Sequence, residues 1–230
     1  MISIKDLTIT YDHKVNVINS LCLTLAGENI HGIVGLNGAG KTTLLNAIYG
    51  LIKAGSGEIT CNGLKLTKKD LSYLVTENFF YSSITGREYL GLFNNLHFDI
   101  DKWNGLFQLP LNTIVDDYST GMKKKLALLG ILKQDKPIMI LDEPFNGLDI
   151  ETCRIIRSIL LRLKEKGKTI IITSHIIETL TNLCDYIHFL ENGKIRFSKG
   201  KEDFVEFERE LFQSIENKNI GLINELTAEL

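Results

Sequence analysis

Two stretches of this 230-residue chain carry residue types that handle phosphate and a divalent metal. The first is GLNGAGKTT, residues 35–43, which fits the pattern G-x-x-x-x-G-K-[ST] through Gly35, Gly40, Lys41 and Thr42. Glycines let a backbone curl tightly and approach an anion with no Cβ in the way. The backbone N–H groups of roughly residues 38–43 then form a nest for phosphate oxygens. Asn37, Gly38, Ala39, Gly40, Lys41, Thr42 and Thr43 are therefore the candidate nucleotide-binding residues of the loop. Lys41 would reach the β- and γ-phosphates, and Thr42 would offer its hydroxyl to Mg²⁺. The second stretch is residues 118–149. Its turn Ser119-Thr120-Gly121 opens a helix, and a helix start suits a phosphate because its N–H groups are bare and its dipole end is positive. Further along, the apolar run Ile138–Leu141 ends in Asp142 and Glu143. A carboxylate at the tip of a buried strand suits magnesium, and a second beside it suits an attacking water.

These residues need elements to hold them. Ile30–Val34 reads as a buried strand just before the glycine loop, and Leu44, Leu45 and Ile48 share one helical face just after it. The strand 138–141 is followed by a helix over about 150–166, closed by Gly167, and by a second buried strand, Thr169–Thr173. A shorter helix, about 176–184, leads to a hairpin at Asn192-Gly193. Near-continuous apolar strands alternating with helices predict an α/β fold whose mostly parallel sheet is covered on both faces. Residues 1–25 alternate apolar and polar as antiparallel strands do, and Gly57–Gly63 reads as the end of a further strand. Residues 78–120 form an aromatic-rich insert with helical patches around 87–93 and 96–107. Ser174-His175 follows the second buried strand, at the carboxyl end where ligands gather in such sheets. His175 is thereby placed near Lys41 and Glu143, within reach of a γ-phosphate or the attacking water.

Composition narrows the classes. The chain is 44% hydrophobic and 23% charged, as a globular core requires, and its length is that of one sizeable domain. No apolar run approaches the length of a membrane span, and MISIKDLTIT alternates like a strand instead of forming a signal peptide's apolar block. The expectation is a soluble, cytoplasmic protein. Cys22, Cys61, Cys153 and Cys184 make no CxxC pair, which suits free thiols. A net charge of −2 argues against a nucleic-acid partner. The last thirty residues, 201–230, carry eight acids and three bases and read as a solvated, acidic, helical extension of a domain over residues 1–200.

Taken together, the motifs resemble one family, the ATP-binding subunits of ABC transporters, over about residues 1–200. GLNGAGKTT is its phosphate loop, and ILDEP, residues 140–144, is its second nucleotide motif. NGLD, residues 146–149, matches the loop that follows, SH at 174–175 the histidine switch, and YSTGM at 118–122 the family signature. Tyr11 falls where the family stacks an aromatic ring on adenine, and Val17 where it places a small apolar contact. The resemblance implies a RecA-like P-loop core with an N-terminal antiparallel β subdomain and a small α-helical insert. It also implies head-to-tail dimers, most simply homodimers, around two ATP. Each ATP would lie on the phosphate loop of one subunit and under Ser119, Thr120 and Gly121 of the other. Asp142 and Thr42 would hold Mg²⁺, Glu143 would polarise the water, His175 would steady the γ-phosphate, and Asp149 would couple the two sites.

The chain departs from the family in two places. The signature commonly reads Leu-Ser-Gly-Gly-Gln, and here Thr120 and Met122 replace Gly and Gln. Lys123, Lys124 and Lys125 follow, and the residues themselves read as a solvated face. The family's glutamine after the strand preceding the insert is absent. Register places Thr76 in that slot with Glu77 adjacent, and Glu77 is the better magnesium-side ligand of the two. The insert, with Phe79, Phe80, Tyr81, Trp103 and Phe107, reads either as a groove for a helix of a membrane subunit or as the core of a small subdomain. The resemblance implies a separate integral-membrane permease partner, with the chain peripheral on the inner membrane face, and the short insert and signature look like the exporter-type branch. The alternatives are a soluble ABC ATPase and a nucleotide-gated regulatory or immunity module.

Overall fold

The computed structural model describes residues 1–11 and 15–213, together with Ile220 and Glu225 of the tail. Among the described residues, ten strands and six α-helices follow one another before a helix near the tail. They are β1 (Ile2–Tyr11), β2 (Val15–Leu25), β3 (Ile30–Val34), α1 (Lys41–Tyr49), β4 (Ser56–Cys61), β5 (Leu64–Lys65), β6 (Leu71–Leu74), α2 (Gly86–Gly91), α3 (Ile100–Asn104), α4 (Thr120–Gln134), β7 (Ile138–Leu141), α5 (Ile150–Glu165), β8 (Thr169–Ser174), α6 (Ile177–Thr181), β9 (Tyr186–Glu191) and β10 (Lys194–Gly200). A further helix covers residues 204–213.

The strands form two sheets. The larger has the order β10-β9-β3-β8-β7-β6 and is parallel except for the terminal hairpin of β9 and β10; the smaller, β2-β1-β4-β5, is antiparallel. The expected mostly parallel core and N-terminal antiparallel subdomain are both present. Side chains alternate across a strand, and here both faces find apolar partners. Ile138, Ile140, Ile171 and Ile33 turn toward α1 and the small sheet, where Ile2, Ile4, Leu7, Leu44, Leu45 and Ile48 wait. Met139, Leu141, Ile170, Ile172 and Val34 turn the other way, toward α4, α5, α6 and the insert. This two-sided burial is why the central strands read as continuous apolar runs.

Three expectations are revised. The insert's helices are shorter than the patches 87–93 and 96–107, and α6 is shorter than 176–184. The boundary at residue 200 does not mark the end of the core. Phe204, Phe207 and Leu211 are buried, and Phe207 meets Phe197 of β10 at 5.2 Å. The remainder of the acidic extension lies outside the described residues. Finally, Lys124 is buried, not solvated.

Candidate functional site

The phosphate loop is shaped by its glycines. Gly38 and Gly40 hold φ of 80° and 106°, the left-handed region that an L side chain resists. A Cβ on Gly40 would also stand 2.9 Å from Ile18 Cδ1 and 3.1 Å from the Val17 carbonyl oxygen. The turn then feeds α1, whose first residue is Lys41. Its ammonium donates to the Gly35 carbonyl at 2.7 Å and to that of Leu36 at 3.4 Å, so the side chain is folded back over the loop.

One cavity of 620 Å³ gathers most of the residues singled out from the sequence. Tyr11, Val17, Asn37, Gly38, Gly40, Lys41, Thr42, Thr43, Asp142, Glu143 and His175 all line it. Tyr11 is half exposed at one end, its hydroxyl 3.5 Å from Thr43 Oγ1. Ala39 does not line the cavity; it is buried beneath the loop.

Asp142 is the best-anchored group of the site. Only 1% of it is exposed, and three hydroxyls donate to its carboxylate: Thr42 to Oδ2 at 2.7 Å, Thr76 to Oδ2 at 2.9 Å and Thr173 to Oδ1 at 2.5 Å. A buried carboxylate demands such partners, and hydrogen bonds to a charged group contribute about 1.5–3 kcal/mol each. Its backbone N–H donates to the Leu74 carbonyl of β6 at 2.9 Å. Glu143 follows with φ of 50°, a conformation that costs a non-glycine residue about 1–2 kcal/mol. That turn brings Glu143 Oε2 to 2.9 Å from His175 Nδ1, across from β7 to the end of β8. Lys124 adds a third charge: burial lowers its pKa, and Asp142 and Glu143 pull it back up.

The oxygens fit a hard cation. Thr42 Oγ1 and Asp142 Oδ2 lie together on the cavity wall, and among the described residues there is no group of three or more His, Cys, Asp or Glu that could hold a metal by itself. That pattern suits Mg²⁺, which binds through one or two protein oxygens plus substrate phosphates. Glu77 is not part of the wall. Thr76 lines the cavity and bonds Asp142, while Glu77, one residue on, is exposed and outside the cavity lining.

The second predicted device stands apart. Ser119, Thr120, Gly121 and Asp149 do not line the 620 Å³ cavity. Ser119 is exposed at the N-terminus of α4, where its Oγ accepts from Met122 N–H at 3.3 Å. Asp149 caps α5, accepting from Thr152 N–H at 2.7 Å and from Thr152 Oγ1 at 2.8 Å. It also pairs with Lys125 at 3.2 Å. The Thr152 bonds first, then Lys125, hold its carboxyl well below the usual range. Its side chain is thus engaged within its own chain.

The insert divides its aromatics. Phe80 packs on Tyr89 at 4.9 Å, Trp103 stacks on Phe98 at 5.3 Å, and Phe107 is buried, so these belong to the core. Phe79 and Tyr81 instead stand 79% and 60% exposed, edge to face with each other.

The family model described as ABC transporter matches residues 18–146. The ATP-binding protein NatA of Bacillus subtilis (strain 168) is 31% identical over 230 residues, covering 91% of this chain and 93% of its own. The chain belongs to the ABC transporter family. Another relative of this ABC ATP-binding subunit is the Nod factor export ATP-binding protein I of Rhizobium leguminosarum bv. viciae. It is 33% identical over 211 residues, covering 84% of this chain and 66% of its own. Among solved structures, a dimeric ATP-binding cassette in a post-hydrolysis state bound to ADP and Pi superposes with a TM-score of 0.79. At 21% identity, covering 87% of this chain and 99% of that one, it shows the shared cassette fold.

Three lining or supporting residues of this ABC subunit escaped the sequence reading. Asn146 and Leu36 line the cavity, and Thr173 sits behind it. Asn146 lay within NGLD and Leu36 within the glycine loop, so position alone pointed to them. The one signal for Thr173 was a hydroxyl directly after the apolar run Ile170–Ile172.

Proposed function

We propose that this ABC subunit hydrolyses ATP with Mg²⁺ and works as a head-to-tail pair, each ATP lying between the phosphate loop of one copy and Ser119–Gly121 of the other. The observation that carries the reading is Asp142. Three hydroxyls fix its carboxylate beside Lys41 and Glu143 in a cavity of nucleotide size. Backbone N–H groups of the loop bind the phosphates, and Lys41 leaves the Gly35 carbonyl to meet them. Thr42 and Asp142 would hold Mg²⁺, which would neutralise phosphate charge when bound. Glu143 orients and accepts a proton from the attacking water, and His175, already 2.9 Å from it, steadies Glu143 and contacts the γ-phosphate. Tyr11 and Val17 hold the base. The separation of Ser119 and Gly121 from the chain's own cavity supports their service to a partner's ATP.

The same reading extends to a membrane partner. Exposed Phe79 and Tyr81, with Leu92 and Leu96 on the insert, offer apolar contacts to a separate permease helix. Among the described residues no helix is long and apolar enough to cross a membrane. The subunit would sit at the inner membrane face through that permease. The name of the Rhizobium relative supports export as the direction. The decisive experiment is Glu143→Gln. Hydrolysis should fall about 10²–10³-fold while ATP still binds, and light scattering should then find an ATP-bound dimer. Wild-type turnover, or a monomer at saturating ATP, would refute the reading.

A further inference from the structure

We infer that Thr173 is a positioning residue for both site carboxylates, an assignment that rests on the hydrolytic reading above. Its side chain is fully buried on β8 and does not line the nucleotide cavity. Its hydroxyl donates to Asp142 Oδ1 at 2.5 Å and accepts from the backbone N–H of Glu143 at 3.0 Å. An amide N–H can only donate and a hydroxyl has one hydrogen to give, so both directions are fixed and the two bonds are used together.

The place of these bonds explains their importance. The backbone ladder between β7 and β8 ends at Leu141 and Ile172. Immediately beyond it the chain leaves the sheet, and Glu143 enters its left-handed conformation. A backbone held there needs surroundings that over-determine it. Thr173 supplies them by bonding the Glu143 amide with a side chain just past the end of the ladder. Two residues further on, His175 meets the other end of Glu143, its carboxylate, at 2.9 Å. The end of β8 therefore grips Glu143 twice, at the amide through Thr173 and at the carboxylate through His175, and it holds Asp142 as well. Serine would keep both Thr173 bonds; valine, of nearly the same shape, would keep neither.

The test uses the full chain with Mg²⁺ and ATP. Thr173→Val should lower kcat about 10- to 100-fold, the cost expected for lost hydrogen bonds to a charged group, with KM for ATP shifting less than about threefold. Thr173→Ser should restore kcat to within about threefold of wild type. Without nucleotide, hydrogen exchange at the Glu143 amide should quicken at least about tenfold in the valine variant and not in the serine variant. Should the valine variant not fold, Thr173→Ala removes the same hydroxyl and carries the same expectation. A folded hydroxyl-free variant with wild-type kcat, or an equal loss in the serine variant, would overturn the assignment. Glu143→Gln run in parallel separates the two claims. If it is inactive, such a result condemns the role of Thr173 alone. If it is as active as wild type, the hydrolytic reading fails, and the exchange rate still decides whether Thr173 holds the amide.

Discussion

Lys124 is buried in the second turn of α4, and the loss of hydration there outweighs the pull of Asp142 and Glu143 on its charge. Three lysines in succession could not all be solvated on a packed helix. Each residue turns the helix by 100°, so 123, 124 and 125 sweep an arc of about 200°. Lys123 reaches the Asp116 carbonyl and Lys125 reaches Asp149, which leaves Lys124 to face inward. Because desolvation dominates, Lys124→Met should leave the fold as stable or raise its stability by about 1 kcal/mol, read from the urea midpoint of the nucleotide-free chain. A fall of that size would mean the ammonium gains more from the carboxylates than burial costs it. The phosphate loop, Asp142, Glu143 and His175 were legible in sequence because each is a chemical type at a motif position. Thr173 was not, and Thr76 was placed only by register with Glu77 preferred to it, since a hydroxyl acquires its role only from what lies within 3 Å.

At the scale of elements, apolar runs announced β3, β7 and β8 because those strands are buried on both faces. The helices of the insert were less legible for a physical reason. α2 and α3 have six and five residues, too few for a period of 3.6 to declare itself, and their ends are set by caps. In α2, Thr85 Oγ1 accepts from Glu88 N–H at 3.2 Å while Glu88 Oε2 accepts from Thr85 N–H at 2.7 Å. The bond from Thr85 N–H foremost, then one from the Thr85 hydroxyl to the same Oε2 at 2.8 Å, draw the Glu88 pKa down. Thr85→Ala should cost about 1 kcal/mol, visible as a lower denaturation midpoint and faster amide exchange through α2. ATP affinity should stay as it was, because neither residue lines the nucleotide cavity. A changed affinity with no loss of stability would tie this cap to the site in a way the geometry does not suggest. The NGLD match likewise showed the position of Asp149 but not its cap on α5 or its bond to Lys125.

For the whole molecule, a chain of polar groups centred on the buried His31 and His188 links three strands of the large sheet to the end of β2. The Ala26 carbonyl can only accept, so His31 Nε2–H donates to it at 2.9 Å. His31 Nδ1 then accepts from His188 Nε2–H at 3.2 Å, and His188 Nδ1 accepts from the Ser198 hydroxyl at 2.7 Å. Every ring nitrogen has a partner when both rings are neutral. Burial, then His31, pushes His188 down to about 3. Burial lowers His31 as well, against an opposing hydrogen bond to Ala26 and the charge of Asp185, while the N-terminal ammonium lowers it further. In the unfolded chain both titrate near the ordinary value of about 6.5. Below that pH the unfolded state binds more protons than the folded one, so stability should be fully present above about pH 6.5 and fall as pH drops toward 3. For His188 the slope approaches about 1.4 kcal/mol per pH unit. Urea midpoints measured from pH 7 to pH 4 should show that decline, and His188→Gln, which can still donate and accept, should reduce it by about one proton's worth. An unaltered slope in that variant would place the acid sensitivity on the carboxylates of the nucleotide site instead of on the joint between the sheets.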